Sequence, residues 1–158
     1  MSKEEKEEET QPTETITDIL DKLVPPDEIE IIDIFGNSYK KPCILSARKQ
    51  IKVVREFEQM ILYVNETDLS FSNNVELINS IIKAATDENV LIHLGLCFEQ
   101  AFPKVVEKSK AYAKKKKIEL DPDTPILDIF SIEELVGSVV PLFIRLAKKL
   151  SGALATLS

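Results

Sequence analysis

Residues 131–150 carry the densest helical run of apolar side chains in the sequence, and a stripe that wide has to be covered by other parts of the protein. Ser131 followed by Glu134 has the spacing of a capping box, so the sequence predicts a helix starting there. Ile132, Leu135, Val136, Val139, Val140, Phe143, Ala147 and Leu150 recur at helical spacing, and Leu142, Ile144 and Leu146 widen the face. The longest charge-free stretch, residues 135–144, is ten residues long. Spanning a bilayer takes about 20. The expectation is a core helix against which the other helices pack, with a membrane an unlikely partner. An interfacial role, with Arg145, Lys148 and Lys149 near lipid phosphates, is the weaker reading. Gly137 is expected to permit close approach of another helix, and Pro141 to kink the helix or free a carbonyl.

Upstream, residues 1–14 hold six glutamates and no aliphatic side chain after Met1, the composition of a disordered acidic arm. Residues 15–26 read as a short amphipathic helix closed by Pro25 and Pro26. Thr15 and Asp18 start it, and Ile16, Ile19, Leu20, Leu23 and Val24 form its apolar face. At about two turns it is marginal alone, so it docks on the body or waits for a partner. Residues 28–45 predict a β-hairpin: Ile29, Ile31 and Ile32 among acids, turn chemistry at Gly36 and Asn37, and a return from Tyr39. Pro42 places the second strand at an edge, or ends it, and the exposed edge is a candidate interaction site.

Ser46 caps a strongly amphipathic helix over residues 46–64, with Ile51, Val54, Phe57, Ile61 and Val64 on its apolar face. Residues 65–74 are a polar linker whose Leu69 and Phe71 are expected to tuck inward. Helices follow over 75–85 and 88–102, separated by Thr86 and Asp87. Pro103 is a kink or the first-turn residue of a further helix, which becomes basic and ends in Lys114, Lys115, Lys116 and Lys117. Residues 121–125 form a loop, residues 126–130 a buried connector or short helical turn, and residues 151–158 should fray. The sum is a mainly α fold: a bundle of about five helices with a small N-terminal β-hairpin. Residues 27–150 form a single domain, and a chain of this length can bury a core without metal or disulfide.

Charge divides the chain. Residues 1–33 hold 12 acidic and 3 basic side chains, whereas residues 34–158 hold 15 and 17. An acidic arm repels nucleic acid and anionic lipid and can contact basic protein surfaces, the 114–117 run of the same chain among them. That lysine run could touch phosphate, but only Tyr112 stands near it as a stacking ring, so nucleic acid is an unlikely partner. Lysines ending a helix also complement its dipole.

Chemistry is hard to find. His93 is the only histidine, and Cys97 four residues on is its only helical neighbour able to ligate; one such pair does not make a zinc site. Cys43 has no base near it in sequence and reads as a small hydrophobe. No phosphate-cradling glycine loop and no nucleophile elbow occur. The expectation is a non-enzyme without cofactor or metal. With two cysteines and no signal peptide, it is placed in the cytoplasm.

Three stretches together resemble the tail assembly chaperones of long-tailed bacteriophages. One is the strand pair around Gly36, Asn37, Ser38 and Tyr39, leading through Leu45, Ser46, Ala47 and Arg48 into Gln50, Ile51, Lys52, Val53, Val54, Arg55 and Glu56. The second is the helical middle. The third runs from Asp128, Ile129 and Phe130 through Leu135 to Val139, Val140, Pro141, Leu142 and Phe143. The likeness covers residues 28–150; the acidic N-terminal arm and the basic segment 114–117 depart from the family's pattern. What the resemblance implies is a small helical protein that coats the apolar, helix-forming tape measure protein in the host cytoplasm, without active-site residues. Such a protein offers an apolar groove. Val54, Phe57 and Ile61 of one helix, with Val139, Leu142, Phe143 and Leu146 of the other, are the candidate partner-binding residues. A homo-oligomer is a further option. The alternatives are a structural subunit of a virion or tail and, behind it, a nucleic-acid-binding regulator.

Overall fold

In the computed structural model, residues 26–64 and 72–157 are described, with side chains through Lys148. The order is β1 (Glu28–Ile32), β2 (Ser38–Pro42), α1 (Ala47–Ile61), α2 (Asn74–Ala84), α3 (Glu88–Ala101), α4 (Pro103–Lys115), a 3-10 turn (Pro125–Asp128) and α5 (Ile132–Leu157). The protein is mainly helical with a two-stranded antiparallel hairpin at the N-terminal side, as its sequence predicts. The acidic arm, the apolar segment 16–24, Leu69 and Phe71 lie outside the described residues.

The hairpin pairs Ile31 with Tyr39 and Ile29 with Lys41. Alternation turns Ile29 and Ile31 into the core and leaves Glu28, Glu30 and Ile32 outside. Residues 33–37 turn the chain, and Gly36, at φ +89°, takes the conformation that side-chain-bearing residues avoid. Asp33 organises this turn. Its Oδ1 accepts from the backbone N–H groups of Phe35 (3.0 Å) and Asn37 (2.9 Å), and its Oδ2 accepts from the Asn37 side-chain amide at 3.0 Å. Oδ2 also lies 2.9 Å from Ser109 Oγ, on α4. The Tyr39 hydroxyl stands 3.2 Å from the same Oγ. The single serine proton serves the carboxylate, so the tyrosine is the donor in that second bond. Both Asp33 and Ser109 are buried, so this network locks the hairpin tip onto α4.

β2 stops at Pro42, and Cys43 adds one last bond from its N–H to the carbonyl of Asp27 at 2.8 Å. The predicted second strand thus ends before Leu45, because proline has no N–H to extend the ladder. On the other strand, the N–H of Ile32 donates to Glu134 Oε2 at 3.3 Å. Glu134 therefore fills only half a capping box: its N–H donates to Ser131 Oγ at 3.2 Å, while its carboxylate binds the hairpin. The edge proposed from sequence as an interaction site is interrupted at both these points.

Helix starts follow the capping residues. Asn73 accepts from the Glu76 N–H at 2.9 Å and Asp87 from the Asn89 N–H at 2.8 Å. Pro103 is the first residue of a new helix, not a kink, and the chain corners at Phe102. α5 continues to Leu157, past the predicted fraying at residue 151. Lys117, at φ +59°, ends the turn after α4.

The centre of the bundle is α3, not α5 as the apolar density of residues 131–150 suggests. It packs on α1, α5, α4 and the 3-10 turn, while α5 packs on α3, α2 and β1. Val90, Leu94, Cys97 and Phe98 of α3 are fully enclosed, with Leu135, Val136 and Val139 of α5. The close approach expected at Gly137 occurs at Gly95. A Cβ there would sit 3.1 Å from a methyl of Ile126 and 3.2 Å from one of Leu127, whereas Gly137 faces open space. Pro141 lies inside α5 without breaking it and removes the donor that Gly137's carbonyl would otherwise meet.

Candidate partner-binding groove

α1 and α5 both lean on α3 but make no extended backbone approach to one another. They meet through one ring pair: Phe57 and Phe143 stack with centroids 3.8 Å apart. Past that pair, toward the start of α1, the two helices leave a trough of about 450 Å³ lined by Ala47, Gln50, Ile51, Val54, Arg55, Glu58 and Leu146. A tight inner cleft of about 20 Å³ continues beneath it, between Cys43, Leu45, Val53, Leu142 and Arg145.

The trough exists because α1 has more apolar surface than its core contacts use. Val53 and Met60 point into the core. Ala47, Ile51, Val54, Glu58 and Ile61 follow at alternating intervals of four and three, a seam along the flank of the helix. Ile51 is 54% exposed and Leu62 75%. From α5, Leu146 lines the space beside Ala47, Ile51 and Val54.

Of the residues named from sequence, Val54 and Leu146 line the trough. Phe57 and Phe143 are spent on each other and set the separation of the helices. Ile61 is half-buried against the core. Val139 has no exposure and Leu142 is 6% exposed, so they belong to the core; Leu142 reaches only the inner cleft. Val139 cannot present anything to a partner. Ala47, Ile51 and Glu58 were absent from the candidate set, although the four–three spacing with Val54 was the signal that could have found them.

One basic and one acidic side chain, Arg55 and Glu58, line the trough. Arg48, Lys49, Lys52 and Arg55 make the first half of α1 basic, and its first turn holds no acid. Among the described residues none of the four is in an ion pair. Arg145 sits near the start of α1, in the inner cleft with Cys43 and Leu45, where its guanidinium is 3.8 Å from Asp27 and its Nε is enclosed without an acceptor.

The reactive side chains found in sequence serve packing. His93 Nδ1 lies 3.4 Å from Glu56 Oε2, and its ring stacks on Tyr63 at 5.7 Å, joining α3 to the end of α1. Among the described residues, no three of His, Cys, Asp and Glu are grouped closely enough to hold a metal ion. Cys43 and Cys97 are buried free thiols. Burial pushes the Cys97 thiol well above its ordinary pKa, and the Glu56 carboxylate pushes it further. Burial also raises Cys43, against an opposing pull from Arg145.

The sign of the consequence is fixed. Above a pH of about 9 the unfolded chain releases a proton that folded Cys97 keeps, so stability falls as pH rises. The share of Cys97 is about 1 kcal/mol between about pH 9 and 10. Urea midpoints measured across that range should drop more steeply for the native sequence than for Cys97→Ala. Equal slopes would mean the thiol ionises freely in the fold.

Among the described residues no helix is long and apolar enough to cross a membrane. No protein-family model, curated protein or solved structure matches the chain.

Proposed function

We propose that the protein is a non-enzymatic assembly chaperone or adaptor that holds an amphipathic helix of another protein in the α1–α5 trough. The observation that supports this reading is the open four–three seam on α1, facing Leu146 across about 450 Å³. A client helix laid there would bury Ile51 and Val54 as an additional bundle member does, with charges at the rim setting register. The resemblance to phage tail assembly chaperones gives the client a class: the repetitive apolar helices of a tape measure protein.

A fluorescein-labelled amphipathic peptide of about six turns, taken from a tape measure protein, is the probe. Its anisotropy should rise with added protein, and Ile51→Asp should weaken binding at least about tenfold, the effect of setting a desolvated charge against an apolar anchor. A scrambled peptide of equal composition binding equally well would sink the reading. A chaperone should also be missing from purified finished particles; a subunit would remain in their mass spectrum.

A further inference from the structure

We propose that a notch between the start of α1 and the end of α3 is a second docking site. Its occupant is an acidic segment of a partner protein that carries one bulky apolar side chain among its carboxylates. No residue lines both this notch and the trough.

The notch follows from how β2 is joined to α1. Beyond Pro42, Cys43 turns into the core and Ile44 turns out to solvent, where it is 53% exposed. Leu45 is half-buried, and Ser46 caps α1. Opposite stands the corner at which α3 gives way to α4, with Ala101 and Phe102 buried beneath. These walls enclose about 230 Å³, and Lys41 of β2 and Lys49 of the first turn of α1 line the same space. Both lysines are half-buried, and among the described residues neither is in an ion pair.

Size decides the class of occupant. Small-molecule sites hold about 300–1,000 Å³ and carry several polar groups that orient the ligand. This notch is smaller, and its uncharged polar groups are committed. Ser46 Oγ accepts from the Lys49 N–H at 3.4 Å, and the Leu45 carbonyl accepts from the Gln50 side-chain amide at 3.1 Å. What remains is an apolar floor and two cations, with no carboxylate in the lining. That is the complement of one leucine-sized side chain with acids beside it. Arg48 and Lys52, exposed on α1, extend the positive field for further acids along the segment. The only ring in the lining, Phe102, is 5% exposed, so it offers no platform on which nucleic-acid bases stack. The trough differs in kind, since its lining holds one charge of each sign.

The probe is a fluorescein-labelled peptide of about twelve residues, one leucine at its centre and glutamates and aspartates elsewhere, followed by anisotropy. Changing that leucine to serine should weaken binding at least about tenfold, the factor that burying one such side chain supplies. The double variant K41E/K49E should weaken it about tenfold as well, while keeping the native unfolding midpoint. A lysine-rich peptide with the same central leucine should bind K41E/K49E and not the native chain. Ile51→Asp, outside the notch, should leave the acidic peptide's affinity within about twofold. Absence of binding to the native chain would overturn the inference. So would equal binding of the serine peptide or of an oligothymidylate of similar charge, which would make the lysines an unselective cation cluster. Loss of binding in Ile51→Asp would place the peptide in the trough, and self-association that K41E/K49E abolishes would make a second copy the occupant; either overturns it too. The tape measure peptide should bind K41E/K49E as it binds the native chain, so the proposed function stands or falls separately.

Discussion

Asp33→Ala should destabilise the protein by about 2–4 kcal/mol, the largest effect expected from any single polar side chain among the described residues. Four donors converge on its carboxylate: two backbone N–H groups, the Asn37 amide and the Ser109 hydroxyl. Alanine would leave the enclosed Ser109 with only Tyr39 and would unpair the turn that returns β1 into β2. Asp33→Asn separates charge from geometry. One carboxamide oxygen can still accept the two backbone bonds, and its NH₂ can meet a flipped Asn37, so about half the loss is expected. Urea unfolding of both variants, with Ser109→Ala as the partner in a double-mutant cycle, gives the measurement. If Asp33→Ala and Asp33→Asn both unfold within about 0.5 kcal/mol of the native chain, the network carries little of the fold's stability.

Phe98→Ala should be worse, at about 3–5 kcal/mol, because a fully enclosed ring leaves a cavity as well as losing its transfer energy. Phe98 has no exposure. Its ring centroid is 4.6 Å from that of Phe130, in the connector to α5, and 5.3 Å from that of Phe102, at the corner between α3 and α4. Three separate pieces of chain are thus referenced to one side chain. A domain of this size has about 5–15 kcal/mol in total, so the variant should melt well below the native protein or fail to accumulate. By contrast Ile51→Asp, on the exposed seam, should leave the melting temperature within a few degrees. Near-equal melting temperatures for these two substitutions would mean that the burial pattern of α3 is wrong.

The elements were legible in the sequence because their ends are written in single residues. Ser46, Asp87, Pro103 and Ser131 each mark a helix start through a local bond or a missing one, and such signals need no tertiary context. The contacts between elements were not legible. Asp33 and Ser109 stand 76 residues apart, and nothing near either announces the other. Glu134 carries the signature of a capping box, yet its carboxylate is drawn off by Ile32, a competitor visible only in the fold. The candidate groove suffers the same ambiguity. Periodicity gives Val139 and Ile51 one description, apolar at helical spacing, although one has no exposure and the other is half in solvent. Which apolar stripe is central is decided by how many neighbours a helix acquires, and α3 wins through the close approach at Gly95. The Phe57–Phe143 stack could not be anticipated either, since it depends on the distance at which α3 holds its two neighbours.

The hairpin's flanks have a further outcome for how the protein behaves when crowded. A two-stranded ribbon is ordinarily an invitation to templated stacking of identical chains, each offering its free backbone groups to the next. Here one flank has its terminal amide engaged by Glu134, and the other finishes on an imino acid with nothing to donate. Ribbon addition thereby loses one donor position at the end of each flank.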